Sequence, residues 1–368
     1  MSIPSDSAQI ESLPPAVRTV PRWRDPTTTT AVATVAHVLL AAAAGWFLMQ
    51  QLAPVVRPLL VAVFLAYILL PYHSRLQTHI GAPASIGVLA GATAGVLVTL
   101  ALITYTSLLG LSEDIPRLHA RAGELLRSTE VAFGQMPRWA SNLKPSTPTE
   151  SKIGEQLSRA TGPVLSMAAD VLLETIVVAM YLLFLLLEGS RFPHRVRRAY
   201  PPDRAAEILQ IAGQVSSAIV GYLRVKVKAS LVLAVPIGLI LWACGVKFAV
   251  LWALLTFMCN FIPYIGPVVA YSLPVGFGFL WFGASWEPVT VAVLLMLCHA
   301  TSAALVEPTM IGNAVGLSPL VLLAALAFWG LLWGIPGMFL AVPLTVVGVI
   351  VMNHFESTRS VAGLLRGV

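Results

Sequence analysis

Apolar residues run along this chain in long unbroken stretches, not in the short alternations of a water-soluble core. From Pro308 to Phe355 there is no Asp, Glu, Lys or Arg, and this run follows an isolated Glu307 that ends another uncharged stretch beginning at Pro288. Roughly 20 apolar residues suffice to cross the hydrocarbon of a bilayer as a helix. Counted in such windows, Ala31 to Met49 predicts a first span and Leu52 to Tyr72, with Arg57 near its start, a second. Met167 to Leu187 predicts the fourth, Ala229 to Val246 the fifth and Pro288 to Val306 a later one. Ile80 to Ser112 is longer than one crossing needs, so the third helix tilts or protrudes. Phe248 to Trp286, broken by Pro263, Pro267 and Pro274, and the run after Glu307 are each too long for one span; each crosses once with a folded-back piece or crosses twice. The pattern predicts an all-α, polytopic integral membrane protein. It has about eight transmembrane helices, broken or re-entrant segments, and an extramembrane helical segment between the third and fourth spans.

Composition agrees with a lipid environment. Charged residues make up 11% of the 368, against about 25% in an average soluble domain, and mean hydropathy is +0.82. Short loops that keep Lys and Arg stay on the cytoplasmic side. Arg18, Arg22 and Arg24 precede the first span, Arg75 lies between the second and third, and Arg191, Arg195, Arg197, Arg198 and Arg204 follow the fourth. With alternating spans these fall on one side, which puts the N-terminus in the cytoplasm and Glu113 to Gly162 outside. The net charge of +6 then reads as orientation and lipid headgroup contact, not as a nucleic-acid patch, which needs a dense basic face. The expected organisation is a disordered cytoplasmic tail over 1–30, helices one to three over 31–112, and an external amphipathic segment over 113–166. The fourth helix follows over 167–188, a basic cytoplasmic amphipathic segment over 189–228, helices five to eight with broken pieces over 229–353, and a cytoplasmic tail over 354–368. The small residues Ala41 to Gly45 leave a cleaved-leader alternative open.

Two stretches outside the spans have helical periodicity: Ile115, Leu118, Ala122, Leu125, Leu126 and Phe133, then Ile208, Ile211, Ala212, Val215, Ile219 and Tyr222. Each reads as a connector helix lying on the membrane, or as a surface for a neighbouring subunit. Gly87, Gly91 and Gly95, and later Gly330 and Gly334, repeat at a spacing that permits close helix contact. Cys244, Cys259 and Cys298 sit in apolar windows with no spacing that suits a metal or a redox pair.

Enzyme signatures are missing. There is no nucleophile elbow, no HExxH, no Gly-rich loop ending in Gly-Lys-Ser/Thr and no dinucleotide fingerprint, so neither catalysis, a cofactor nor a metal is expected. Function then points to polar groups at membrane depth, which are costly there and serve cavities, partners or ion paths. Glu307 is the first, beside Pro308, whose missing amide hydrogen breaks the helix; alternatively it ends its span at the headgroups. Asn260, Pro263, Tyr264, Gly266 and Pro267 form the second, because such a stretch cannot stay helical and irregular backbone in lipid needs cover from protein or a wet cavity. Asn313, between Gly312 and Gly316, lies in a third broken element. Arg224, Lys226 and Lys228 crowd the entry to the fifth span, with Arg224 and Lys228 four apart on one helical face, and suit an anionic solute or simply mark the cytoplasmic side. Asp170 and Glu174 suit a cation or proton, or are solvated at the interface.

Several of these features occur together in one known family. Pro58, Ala66-Tyr67 and Pro71 in the second span, then Asn260, Pro263, Gly266 and Pro267, then Glu307-Pro308, Gly312, Gly316-Leu317, Pro319, Trp329-Gly330, Gly334, Gly337 and Ala341-Val342-Pro343 stand in order along the chain. In this order and spacing the sequence resembles the autoinducer-2 exporter (AI-2E), or PerM-type, permeases of bacterial inner membranes. The resemblance implies a multi-pass, homo-oligomeric transporter embedded in lipid; some members of the family look like exporters of autoinducer-2 and others like sodium or proton antiporters, so the substrate does not carry over with the family name. The expected function is secondary, ion-coupled export, with protons or sodium, of a small polar solute such as an autoinducer-2-like signal. Alternatives are a sodium/proton antiporter of the same family, an oligomeric passive pore, and a membrane scaffold.

Overall fold

The computed structural model describes residues 26–134, 150–189, 191–283, 285–306 and 317–365. Every element among them is a helix. Among the described residues eight helices are long and apolar enough to cross a membrane, as the hydropathy pattern predicts. Helix α1 (Pro26–Gln51) belongs to a unit of its own; nearly all of its described side chains are exposed, as suits a helix solvated by lipid. All packing described below concerns residues 52–368.

Helix α2 (Ala53–Ile80) ends at Gly81 (φ 81) and turns directly into α3 (Ala82–Gly134). The turn is fixed by a buried hydrogen bond between Ser85 Oγ and His73 Nδ1, 2.8 Å. α3 has 53 residues and its partner α4 (Glu150–Gly189) has 40, or about 80 and 60 Å at 1.5 Å per residue. Both exceed the roughly 30 Å of hydrocarbon and project beyond it. Within the membrane Ile86 and Ala90 of α3 pack with Ala62 of α2 and with Val178, Leu182 and Leu186 of α4. Thr99, Thr104, Thr106 and Thr175 turn their hydroxyls onto carbonyls four residues back, so these polar groups are satisfied without water. Gly87, Gly91 and Gly95 face open space.

After the short basic helix α5 (Phe192–Ala199), α6 runs from Pro202 to Ala243 without interruption. Neither amphipathic stretch is a separate connector. The stripe at Ile115, Leu118 and Ala122 is a continuation of α3 and is buried, and the stripe beginning at Ile208 is the first half of α6. Hydrogen bonding continues past the edge of each apolar window because nothing there ends a helix; even Pro116 is carried inside α3.

The two long uncharged runs fold back on themselves. In the first, α7 (Ala249–Cys259) has only 11 residues, about 16 Å, and is followed after a break by α8 (Ile265–Phe282). Phe277 of α8 lies 5.2 Å from Trp252 of α7 and 6.0 Å from Phe248 between ring centroids, which an antiparallel hairpin alone allows. Helix α9 (Glu287–Thr301) continues into a π-helical turn, Ser302–Val306. In the second run, α10 (Pro319–His354) is broken at Gly334 (φ 69, ψ −145). Trp329 Nε1 reaches Thr345 Oγ1 at 3.4 Å although the two are 16 residues apart, a separation of about 24 Å along a straight helix. Helix α11 (Glu356–Leu365) is the last described element.

The mouths of these hairpins lie at opposite ends of α6. Lys247, at the mouth of the first, directly follows α6 and sits 5.5 Å above the Trp281 ring at the end of α8. The second closes near the start of α6, where His354 Nε2 meets Glu207 Oε1 at 2.7 Å; Ser318 N also donates to Leu365 O at 3.3 Å. Between these ends the hairpins meet. Phe261 stacks on Phe339 at 4.4 Å, and Ile262 packs with Leu326 and Ala341.

Candidate functional site

The break between α7 and α8 is held by its own turns. Ile262 N donates to Cys259 O (2.8 Å) and Gly266 N to Ile262 O (2.9 Å), while Ile265 N reaches back two residues to Pro263 O at 2.7 Å. This last bond closes a γ-turn on Tyr264 (φ 63, ψ −52), a strained conformation for any residue with a side chain. Gly266 is required: a Cβ there would stand 1.8 Å from the Cys259 carbonyl oxygen. With the backbone satisfied internally, the break tolerates apolar surroundings, and Phe261 and Ile262 are buried.

Asn260 opens the break and is 4% exposed. Its Nδ2 donates to Ser230 Oγ on α6 at 2.9 Å, and Ser230 is wholly buried. One turn before Ser230 on the same face stands Lys226, 7% exposed, and one turn before that Tyr222, whose hydroxyl is buried with no hydrogen-bond partner among the described residues. Residues four apart stack along a helix. Tyr222, Lys226 and Ser230 therefore form a polar file that ends at Asn260, where Ile219, Leu223, Phe261, Leu340 and Phe64 converge from four parts of the chain. A buried ammonium is stable only when paired or hydrogen-bonded. Such a file is rich in donors, with one unspent hydroxyl, and is suited to gripping a small polar solute.

The sequence-predicted positions distribute unevenly around this file. Asn260 and Gly266 are buried in it, Pro263 and Pro267 are half-buried, and Tyr264 turns its ring outward. Arg224 and Lys228 do share one face of α6, and that face is exposed. Asp170 and Glu174 are exposed on α4. Glu307 and Asn313 lie outside the described residues. The sequence reading groups Lys226 with Arg224 and Lys228 and does not single it out as the buried cation, yet a signal was present. Ile219, Leu223, Lys226, Ser230, Leu233, Ile237 and Leu241 are the buried stripe of α6 at steps of three and four, so the cation occupies a place the period reserves for an apolar residue.

A second polar contact binds the first hairpin at its mouth. Lys247 Nζ donates to Asp114 Oδ2 on α3, and Arg117 Nη1 stands 3.9 Å from Asp114 Oδ1. The Asp114 side chain is 6% exposed. Lys247, its side chain 40% exposed, also lies 5.0 Å over the Phe248 ring, a favourable position for a cation.

Residues 35–357 match the family described as AI-2E family transporter. The chain belongs to that family. Over 321 residues it is 28% identical to "Putative transport protein YhhT" of Escherichia coli, covering 85% of this chain and 88% of that protein. It is 32% identical over 204 residues to "AI-2 transport protein TqsA" of Escherichia coli, and 34% identical over 211 residues to a "Putative transport protein" of Haemophilus influenzae. These two matches cover 55% and 54% of this chain and span 58% of each relative's length. This AI-2E family member is thus a multi-pass membrane protein of a transport family, and the family and its relatives are named for transport, not for catalysis.

Proposed function

We propose that this chain exports a small polar solute, an autoinducer-2-like signal, across the bacterial inner membrane by ion-coupled secondary transport. In this reading its N-terminus is cytoplasmic and its working unit a homo-oligomer. The observation that carries the reading is the buried file Tyr222, Lys226, Ser230 and Asn260 at the meeting of two hairpins with opposite mouths. In secondary transporters, broken helices approaching from both sides bring polar groups to mid-bilayer, where a solute is exposed alternately to each face. The name of the relative TqsA, an AI-2 transport protein, supports the choice of solute. Glu307, the sole full charge between Pro288 and Phe355, is the group proposed to exchange a proton during the cycle.

Efflux of autoinducer-2 from proteoliposomes under an imposed pH gradient tests the reading. The parent should exceed empty liposomes, Asn260→Ala should slow efflux about tenfold by removing a buried hydrogen-bonding partner, and Glu307→Gln should lose the response to the gradient. Parent flux equal to that of empty liposomes would overturn the proposal, and unchanged flux in Glu307→Gln would take that residue out of the mechanism.

A further inference from the structure

Helix α7 is bracketed by strain. Phe248 (φ 63, ψ 32) precedes it and Tyr264 (φ 63, ψ −52) follows its end, and these are the two non-glycine residues with positive φ among the described residues. Such backbone persists only where surrounding contacts hold it, and it clusters at elements that move. Ala249 and Trp252 anchor the front half of α7 in the core with Ile237, Leu241 and Phe277, and polar contacts hold its two ends. At its front Lys247 is bonded to Asp114, Trp252 Nε1 holds the Lys247 carbonyl at 3.2 Å, and the Phe248 ring lies against Gly110, where an added Cβ would come within 3.0 Å of it. At its back Asn260 is bonded to Ser230. Along one flank, α7 borders a groove of about 460 Å³ lined by apolar side chains, among them Leu100, Leu231, Val235, Val250 and Leu254.

We propose that the Asp114–Lys247 ion pair is a latch that positions α7, and that its opening lets α7 swing about Phe248 and Tyr264 and draw Asn260 away from Ser230. The two residues act through Asn260 and do not themselves touch solute. Arg117 makes the open arrangement accessible. It stands three residues along the same helix, its side chain 79% exposed and 3.9 Å from the Asp114 carboxylate, and it keeps that buried acid paired when Lys247 departs. An acid left wholly alone at this depth would hold the latch shut. The assignment rests on the passage proposed above only in that Asn260 belongs to it.

Cys259, the last residue of α7 and 9% exposed, is a native reporter of the movement. In a Cys244→Ser/Cys298→Ser background held in nanodiscs, its modification by a charged, water-soluble methanethiosulfonate should be slow. Asp114→Asn should raise the rate about tenfold, as expected when a local opening becomes more populated. The reversed pair Asp114→Lys/Lys247→Asp should bring it back toward the parent, which a general loss of packing would not do. Lys247→Gln, at a partly exposed position, repeats the test should Asp114→Asn fail to fold. A monodisperse, helical single variant whose Cys259 reacts at the parental rate overturns the latch, as does a reversed pair that reacts as fast as the single variants. Since no solute is needed, failure here is separate from failure of the export reading, which autoinducer-2 efflux decides.

Discussion

The two hairpins are alike in outline and opposite in chemistry. Around the turn of α10 the sequence supplies glycine wherever the arms crowd: Gly334 takes φ 69, Gly337 leaves room for the Trp329 carbonyl oxygen, and Gly330 admits Met338. Its buried residues are apolar throughout, and the bond from Trp329 to Thr345 crosses between the arms. The α7–α8 hairpin puts Tyr264 where its turn needs positive φ, a buried Asn260 at its tip and a charged Lys247 at its mouth. A turn built from glycine is relaxed and fixes one arrangement; a turn that forces a tyrosine into that region stores strain that a second arrangement can release. On this reading the α10 hairpin is scaffold and the α7–α8 hairpin is the working part.

Both hairpins do share one rigid demand, and it carries the largest expected effects. Gly266→Ala would set a methyl 1.8 Å from the Cys259 carbonyl oxygen, and Gly337→Ala one 2.0 Å from that of Trp329. Backbone cannot retreat as a flexible side chain does, so each change should cost about 3 kcal/mol, the upper part of the range for overpacking. Thermal unfolding in detergent, followed by tryptophan fluorescence, should show both variants well below the parent. A variant that unfolds with the parent would mean that its hairpin is open enough to absorb a methyl, and would remove the close approach from the account.

The turn residues themselves should separate the hairpins. Gly334→Ala forces a Cβ into a conformation that glycine alone adopts freely, at about 2 kcal/mol. Tyr264→Gly releases comparable strain while losing little packing, since the ring is 53% exposed. The added freedom of the unfolded chain offsets part of that gain, so stability should stay within about 0.5 kcal/mol of the parent or rise. Equal losses for the two variants, measured by the same unfolding assay, would erase the distinction between a relaxed turn and a strained one.

How far the sequence could be read follows from what each feature depends on. The spans were legible because lipid selects on local composition: a charge-free window is apolar whatever it later packs against. The breaks were legible at Pro263, Gly266 and Pro267 because proline and glycine act on their own backbone. Whether those breaks turn the chain back was not, since it is decided by contacts such as Phe277 on Trp252 and Trp329 on Thr345. The candidate site was half legible. Asn260 is visible inside a broken, apolar stretch, whereas in the cluster Arg224, Lys226 and Lys228 the local sequence marks only a shared face for the two residues four apart. The face they share is exposed, and the cation between them, Lys226, is the one turned inward. The pair between Asp114 and Lys247 joins residues 133 apart, and nothing in the local pattern of either announces the other.

The mildest change tests the scaffold reading most sharply. Trp329→Phe removes the indole donor to Thr345, a bond already long at 3.4 Å, while Thr345 keeps its own bond to the Ala341 carbonyl at 2.7 Å. The phenyl ring can still pack edge-on against Phe328 and beside Trp333, which now lie 5.1 and 5.0 Å from the indole. The loss should be below about 1 kcal/mol, the usual net contribution of a neutral hydrogen bond. Autoinducer-2 efflux should remain at the parental rate, because a hairpin that only supports its neighbour transmits little of a small change in its own stability. A fall in efflux approaching that expected of Asn260→Ala, with unfolding unchanged, would place α10 among the moving parts and make the two hairpins functional equals.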